Sequence, residues 1–196
     1  YANIVLPYGR QVQKALEIVG GLDIDTICPS HGLIIRKYIP EILEKYKEWS
    51  ANKIDKKALI IYDTMWKSTE KIAHSIQASF EAKNYQTRLI NLQYTHISDI
   101  MTEILTAKYI CIGSPTLNNN ILPTVASFLT YLKGLAPKGR VGLAFGSYGW
   151  GGQSVGTIEK ELESCGFEML DQIKLQYVPD QETLNEKEKQ LIDQIK

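Results

Sequence analysis

The sequence predicts an α/β chain built on a doubly wound, five-stranded parallel sheet. Three observations carry that prediction. Five apolar runs recur from Lys57 onward, each separated from the next by a helical pattern. Parallel neighbours need a long crossover connection of that kind, whereas antiparallel hairpins do not. The runs Ile60-Ile61 and Ile110-Cys111-Ile112 are apolar throughout, as strands covered on both faces must be. Finally, Tyr62-Asp63-Thr64-Met65-Trp66-Lys67-Ser68-Thr69 joins the first run to a helix through a hydroxyl-rich turn. A helix start there leaves unpaired N–H groups at the positive end of the helix dipole, and Thr64, Ser68 and Thr69 add hydroxyls. That is a cradle for a phosphate.

Taken in order, the strand candidates are Ala58–Tyr62, Thr87–Asn91, Tyr109–Gly113, Val141–Gly146 and a weaker Glu168–Val178. Helical patterns fall at Glu70–Ala82, Ile97–Leu105, Leu122–Lys133 and Thr157–Ser164, with Gln181–Ile195 closing the chain. Ahead of them, the first 54 residues carry an amphipathic helix over Gln11–Val19, a short strand-like Thr26-Ile27-Cys28 and a second helix over Tyr38–Trp49. Too few elements stand there for an independent core. Two readings of this segment are open: an extension packed on the sheet, or the tail of another domain. A stretch rich in Lys, Glu and Asn from Glu44 to Lys57 sets the boundary near Ile54.

Composition narrows the function. The chain has 196 residues, 44% of them hydrophobic, enough for a packed core. Lys plus Arg number 22, as do Asp plus Glu, so no net field favours nucleic acid or an anionic membrane. No run of ~18 apolar residues is present for a membrane span, and the N-terminus lacks the order of a signal peptide. Cys28, Cys111 and Cys165 are widely separated and form no Cys-x-x-Cys pair, against a disulfide framework or a rubredoxin-type iron site. A reducing cytoplasm is the expected location.

In an open parallel sheet, ligands bind beyond the carboxyl ends of the strands, so the loops after strands one, three and four should converge. The first is the 64–69 cradle. The second, Gly113-Ser114-Pro115-Thr116-Leu117-Asn118-Asn119-Asn120, offers amides and hydroxyls to the edge of a heteroaromatic ring. The third, Gly146-Ser147-Tyr148-Gly149-Trp150-Gly151-Gly152, combines close backbone approach with aromatic faces. Any one of these loops is most simply a helix cap or a turn; three on matching strands point to a ligand. The cradle lacks both the Gly-Lys-Ser/Thr ending of a triphosphate loop and the Gly-x-Gly-x-x-Gly of a dinucleotide fold. A mononucleotide remains, and FMN is the natural one.

Over about Lys57 to Lys196 the sequence resembles the flavodoxin-like family, which implies the strand order 2-1-3-4-5. It departs from the usual Thr/Ser-x-Thr-Gly-x-Thr phosphate loop by carrying Trp66 and Lys67. Thr-Met-Trp-x-Ser-Thr, Ser-Pro-Thr-x-Asn-Asn and Tyr-Gly-Trp-Gly-Gly resemble instead the flavodoxin domain of flavodiiron proteins. The resemblance implies that Thr64, Met65, Trp66, Lys67, Ser68 and Thr69 take the FMN phosphate. It likewise implies that Ser114, Pro115, Thr116, Leu117, Asn118 and Asn119 meet the ring and ribitol, while Ser147, Tyr148, Gly149, Trp150, Gly151 and Gly152 close over the ring. Trp150, then Tyr148 or Trp66, are the candidates for ring contact.

The segment Cys28-Pro29-Ser30-His31-Gly32 resembles a turn late in the metallo-β-lactamase-like domain that precedes the flavodoxin domain in that family, where the His is a metal ligand. Residues 1–54 are thus expected to be the remnant of that domain and a linker helix, residues 55–196 the FMN-binding domain, and His31 a displaced ligand. The family's His-x-Glu-x-Asp-His motif is absent, so no stable iron pair is expected from this chain alone; His74 and His96 read as ordinary helix and loop residues. Tyr1 as first residue favours a fragment over a split subunit. The resemblance further implies a homodimer, and electrons passing from rubredoxin, a flavin reductase or F420 through FMN to a diiron centre that reduces O2 to water or NO to N2O. The rival readings are a free-standing flavodoxin or flavin-dependent quinone reductase, and a domain that kept the sheet without a cofactor. A response-regulator receiver is excluded, since Asp63 has no acidic neighbours.

Overall fold

The computed structural model describes residues 1–196. Its sheet runs β2 (Gln86–Asn91), β1 (Asp55–Tyr62), β3 (Ala107–Gly113), β4 (Val141–Tyr148) and β5 (Glu168–Met169), every pair parallel. This is the 2-1-3-4-5 order. Alternation of side chains along β1 divides the core. Leu59 and Ile61 join Ile110, Ile112 and Ala144 beneath α4 (Ile97–Ile104), α5 (Pro123–Leu135) and α6 (Gln153–Ser164). Ala58, Ile60 and Tyr62 join Tyr109, Cys111, Leu143 and Phe145 beneath α3 (Ser68–Ala82) and α7 (Gln181–Gln194). Each face buries one stripe of every helix laid on it, which explains why the central strands are apolar on both sides.

The fifth strand differs from its prediction. It is split: β5 pairs with Val141 and Gly142, then β6 (Ile173–Gln176) resumes against Phe145 to Tyr148 of the same β4. The polar pair Asp171-Gln172 interrupts it, and the Asp171 N–H donates to Gln194 Oε1 on α7 instead of to the ladder (2.9 Å). Asp is a poor strand former, so the interruption falls where propensity is weakest. The strand also stops at Gln176 rather than Val178, because Tyr177 turns into the left-handed region at φ 58°.

The N-terminal segment forms α1 (Gly9–Val19) and α2 (Ile39–Ser50), packed on each other. Thr26-Ile27-Cys28 makes only a single antiparallel bridge between Ile27 and Ile35, too short to be a strand. Ala2 is the one buried residue before Lys57. Tyr1, Tyr46 and Trp49 cluster with ring centroids 5.4 to 5.5 Å apart. Attachment to the rest of the chain is both apolar and polar: Ala2 joins the core with Tyr1, Leu6 and Trp49 packed against it, while Asn3 Nδ2 donates to Ser98 O, Tyr131 OH donates to Asn3 Oδ1, and Asn52 Nδ2 donates to Lys138 O, at 3.0 to 3.1 Å. Arg140, 1% exposed, completes the join. Its guanidinium donates to Asn52 Oδ1, Lys138 O, Ile104 O and Leu105 O, and thereby also caps the carboxyl end of α4. Burial lowers its pKa to about 10, which leaves it charged at neutral pH.

Two glycines let the site-bearing strand ends meet. A Cβ on Gly113 would lie 2.2 Å from Phe145 Cε2, and one on Gly146 would lie 2.1 Å from the Ser114 carbonyl oxygen. Only glycine allows β3 and β4 to approach this closely as they enter their loops.

Candidate functional site

The β1–α3, β3–α5 and β4–α6 loops converge at the carboxyl edge of the sheet, around a cleft of about 260 Å³. Thr64, Met65, Trp66 and Ser68 line it from the first loop, Pro115 and Thr116 from the second, and Ser147, Tyr148 and Gly149 from the third. The first loop presents donors. The N–H groups of Met65, Trp66, Lys67, Ser68, Thr69 and Glu70 find no backbone acceptor, because α3 begins at Ser68 and its first amides have no preceding turn. Lys67 starts the helix from a left-handed backbone at φ 65°. Thr64 Oγ1 is buried and has no hydrogen-bond partner in the protein. A hydroxyl shut away from water without a partner is costly, and here it stands beside a cleft ringed with donors.

A chain of hydroxyls beneath the cleft ties the loops together. Thr69, fully buried, shares a hydrogen bond with Ser147 (Oγ1···Oγ 2.9 Å). The Thr116 N–H donates to Ser147 O (2.9 Å), and Thr116 Oγ1 donates to Ser154 Oγ at the start of α6 (2.9 Å). Ser154 Oγ donates in turn to Ser114 O (3.1 Å), while Ser114 Oγ accepts from the Leu122 N–H (3.0 Å) ahead of α5. Asn118 and Asn119, with φ 49° and 58°, form the two-residue turn closed by reciprocal bonds between Leu117 and Asn120. Paired left-handed residues define a type I′ turn, for which Asn is suited.

Not every predicted residue reaches the cleft. Thr69 and Ser114 lie buried beneath it, while Lys67, Leu117, Asn118, Asn119, Gly151 and Gly152 sit outside its lining. Trp150, the first candidate for ring contact, is 100% exposed and is not among the residues that line the cleft. Trp66 is 85% exposed but does line it. Sequence reasoning missed Tyr177 and Val178, which line the cleft from the β6–α7 turn. They had been absorbed into the fifth strand; the rule that parallel strands deliver their carboxyl ends to one edge would have found them.

It also missed Asp63, which is 3% exposed. Asp63 Oδ1 accepts from the Thr64 N–H and from Gln93 Nε2, both 2.6 Å, and Oδ2 accepts from Thr124 Oγ1. It stands alone among acids, as the sequence says, yet it pins the first loop to the β2–α4 loop and to α5. Nearby, Tyr62 OH donates to Glu70 Oε1 (2.9 Å); burial first, and then that carboxylate, push the Tyr62 hydroxyl up to about 12. Complete burial likewise drives the Cys111 thiol well above its ordinary range, which leaves it inert.

His31 is exposed in the N-terminal segment and lines a cavity of about 350 Å³ with Pro29, Leu33, Ile35, Ile42 and Tyr46. No group of three or more His, Cys, Asp or Glu able to hold a metal surrounds it. His74 is exposed on α3, and His96 proves to be the N-cap of α4, its Nδ1 accepting from the Ser98 N–H (3.3 Å).

The chain matches the flavodoxin family over residues 60–190. It is 42% identical over 188 residues to the nitric oxide reductase of Moorella thermoacetica, covering 94% of this chain and 47% of that protein. The rubredoxin oxygen:oxidoreductase from the anaerobe Desulfovibrio gigas superposes with a TM-score of 0.90 at 40% identity, over 98% of this chain and 49% of that one. The flavodiiron protein from Giardia intestinalis gives 0.90 at 27% identity, over 98% and 48%. The chain thus spans about half the length of the relatives it matches. With a parallel 2-1-3-4-5 sheet, a donor-lined cleft at its carboxyl edge and these relatives, the chain belongs to the flavodoxin family, in the form found within flavodiiron proteins.

Proposed function

We propose that this chain binds FMN and serves as the electron-transfer module of a flavodiiron oxidoreductase, which reduces O2 to water or NO to N2O at a diiron site mostly outside these residues. The observation that carries the proposal is the orphaned Thr64 hydroxyl beside the unclaimed amides of 65–70. That donor set fits a phosphate monoester dianion, which the backbone of a helix start binds without any side-chain cation. Thr64, Ser68 and the amides through Thr69 hold the phosphate. Pro115 and Thr116 face the ribitol and ring, Ser147, Tyr148 and Gly149 flank the ring, and Ser114 supports them from beneath. FMN, when bound, supplies one- and two-electron chemistry, and the protein orients the cofactor and sets its potential. The Asp63 anchor and the Thr69–Ser147–Thr116–Ser154–Ser114 chain fix the donors before any ligand arrives.

The diiron centre does not fit the residues present. His31 has no companion ligands among these residues and would be one ligand of a centre completed elsewhere, with 1–54 as the end of a metallo-β-lactamase-like domain and 55–196 as the FMN-binding domain. The relatives named for rubredoxin favour a rubredoxin-type donor. A homodimer and a cytoplasmic setting belong to the same reading; no helix is long and apolar enough to cross a membrane. The test is a visible spectrum with flavin and iron quantified on one purified sample. One FMN per chain supports the proposal; a protein that stays colourless after incubation with FMN overturns it.

A further inference from the structure

Four residues other than asparagine and glycine adopt a left-handed backbone, namely Tyr38, Lys67, Ala136 and Tyr177. Ala136 is the residue after α5, and Lys67 begins α3 at the cradle. Tyr177 is the one whose side chain lines the cleft. A bulky residue at φ 58° is an outlier that persists only where the surroundings hold it.

The surroundings do hold it. The Tyr177 N–H donates to Tyr148 O (2.7 Å), so the turn is bonded to the β4 edge of the cleft. The neighbouring Gln176 Nε2 donates to Gly149 O (2.8 Å). On the other side Pro179 is buried and Asp180 caps α7, its Oδ1 accepting from the Thr183 N–H (2.8 Å). A turn anchored at both ends nevertheless leaves Tyr177 63% exposed and Val178 60% exposed, and neither belongs to the core. A strained backbone that delivers an exposed aromatic ring to a cleft has no packing explanation.

We infer that Tyr177 is a ring-contacting residue of this cleft: a fourth wall, contributed by the β6–α7 turn, against which a planar heteroaromatic ligand stacks. The inference rests on the FMN reading above and adds to it the element that covers the ring. Its physical signature is a trade-off. Glycine at 177 relaxes the backbone and removes the wall, so stability and ring affinity move in opposite directions; a residue with a merely structural role would lose stability on truncation.

The test uses the chain as it stands, with Tyr177→Gly, Tyr177→Asn and Tyr177→Phe, and two probes: FMN, and lumiflavin, which has the ring without the phosphate. Loss of one aromatic stacking partner predicts weakening of both probes by about ten-fold in Tyr177→Gly and Tyr177→Asn, with Tyr177→Phe close to the parent. The ligand-free Tyr177→Gly protein should melt no lower than the parent. The inference is overturned if the parent binds FMN and the glycine and asparagine variants bind it equally well, or if those variants lose stability in step with affinity. A parent protein that binds neither probe overturns the FMN reading itself.

Discussion

Replacing Thr64 by valine separates binding from folding. In the ligand-free protein the Thr64 hydroxyl is buried and donates to nothing, so it carries an uncompensated desolvation cost of about 1–3 kcal/mol. Valine keeps the shape and deletes that cost. Stability should therefore hold or rise, by up to about 1 kcal/mol after imperfect packing is allowed for, which for a chain of this size is roughly 2–4 °C in Tm. On the proposed FMN reading the same hydroxyl faces the phosphate, and a hydrogen bond to a charged group contributes about 1.5–3 kcal/mol. Its loss should raise the Kd for FMN about 10- to 150-fold. Thermal unfolding without ligand, and titration by quenching of flavin fluorescence, read the two effects independently. If Thr64→Val lowers the ligand-free Tm and leaves the FMN Kd unchanged, the hydroxyl is a structural group and the phosphate cradle is wrongly placed.

Gly146→Ala puts a methyl 2.1 Å from the Ser114 carbonyl, so the two loops must part; overpacking and disturbed loop hydrogen bonds should cost about 2–4 kcal/mol in urea unfolding and weaken FMN together with stability. Arg140→Met strands the acceptors on Asn52, Lys138, Ile104 and Leu105, and should lower stability by about 2–4 kcal/mol by the same assay. Glu48 is held down to about 2 by hydrogen bonds from Lys45 and then Lys53, so whatever it contributes is present above its ordinary value of 4.5 and lost as pH falls towards 2. Glu48→Gln should flatten that part of the acid-unfolding curve, followed by circular dichroism, and added salt should flatten it in the parent.

Most of the fold was legible because strands covered on both faces announce themselves as unbroken apolar runs, and the helices between them as apolar residues at helical spacing. What stayed hidden was tertiary. Asp171-Gln172 is locally weak as strand, but propensity alone does not say that the strand splits and resumes there; the Asp171 N–H leaves the ladder for Gln194 on α7, a tertiary partner. Tyr177 and Val178 look like the end of a strand by propensity, and only the anchoring to Tyr148 shows that the chain has turned. Arg140 reads as an ordinary surface cation between two loops, yet four acceptors distant in sequence or in the backbone of its own loop draw it inside. Trp150 differs in the opposite sense: it is fully exposed and does not line the cleft, and a sequence does not say which way a side chain leaves a glycine-rich turn. Asp63 had no visible role in the sequence beyond the absence of acidic neighbours, because its partners Gln93 and Thr124 are distant in the chain.

The hydroxyl chain from Thr69 to Ser114 has a consequence for how a ligand arrives. Loops that close over a ligand must lose their freedom at the moment of binding, and affinity is reduced by that lost entropy. Here the ordering is completed during folding, because each loop is bonded to another through buried groups that do not need the ligand. Association should then resemble docking into a finished mould: one kinetic phase, with a rate that follows ligand concentration linearly and shows no plateau from a preceding conformational step.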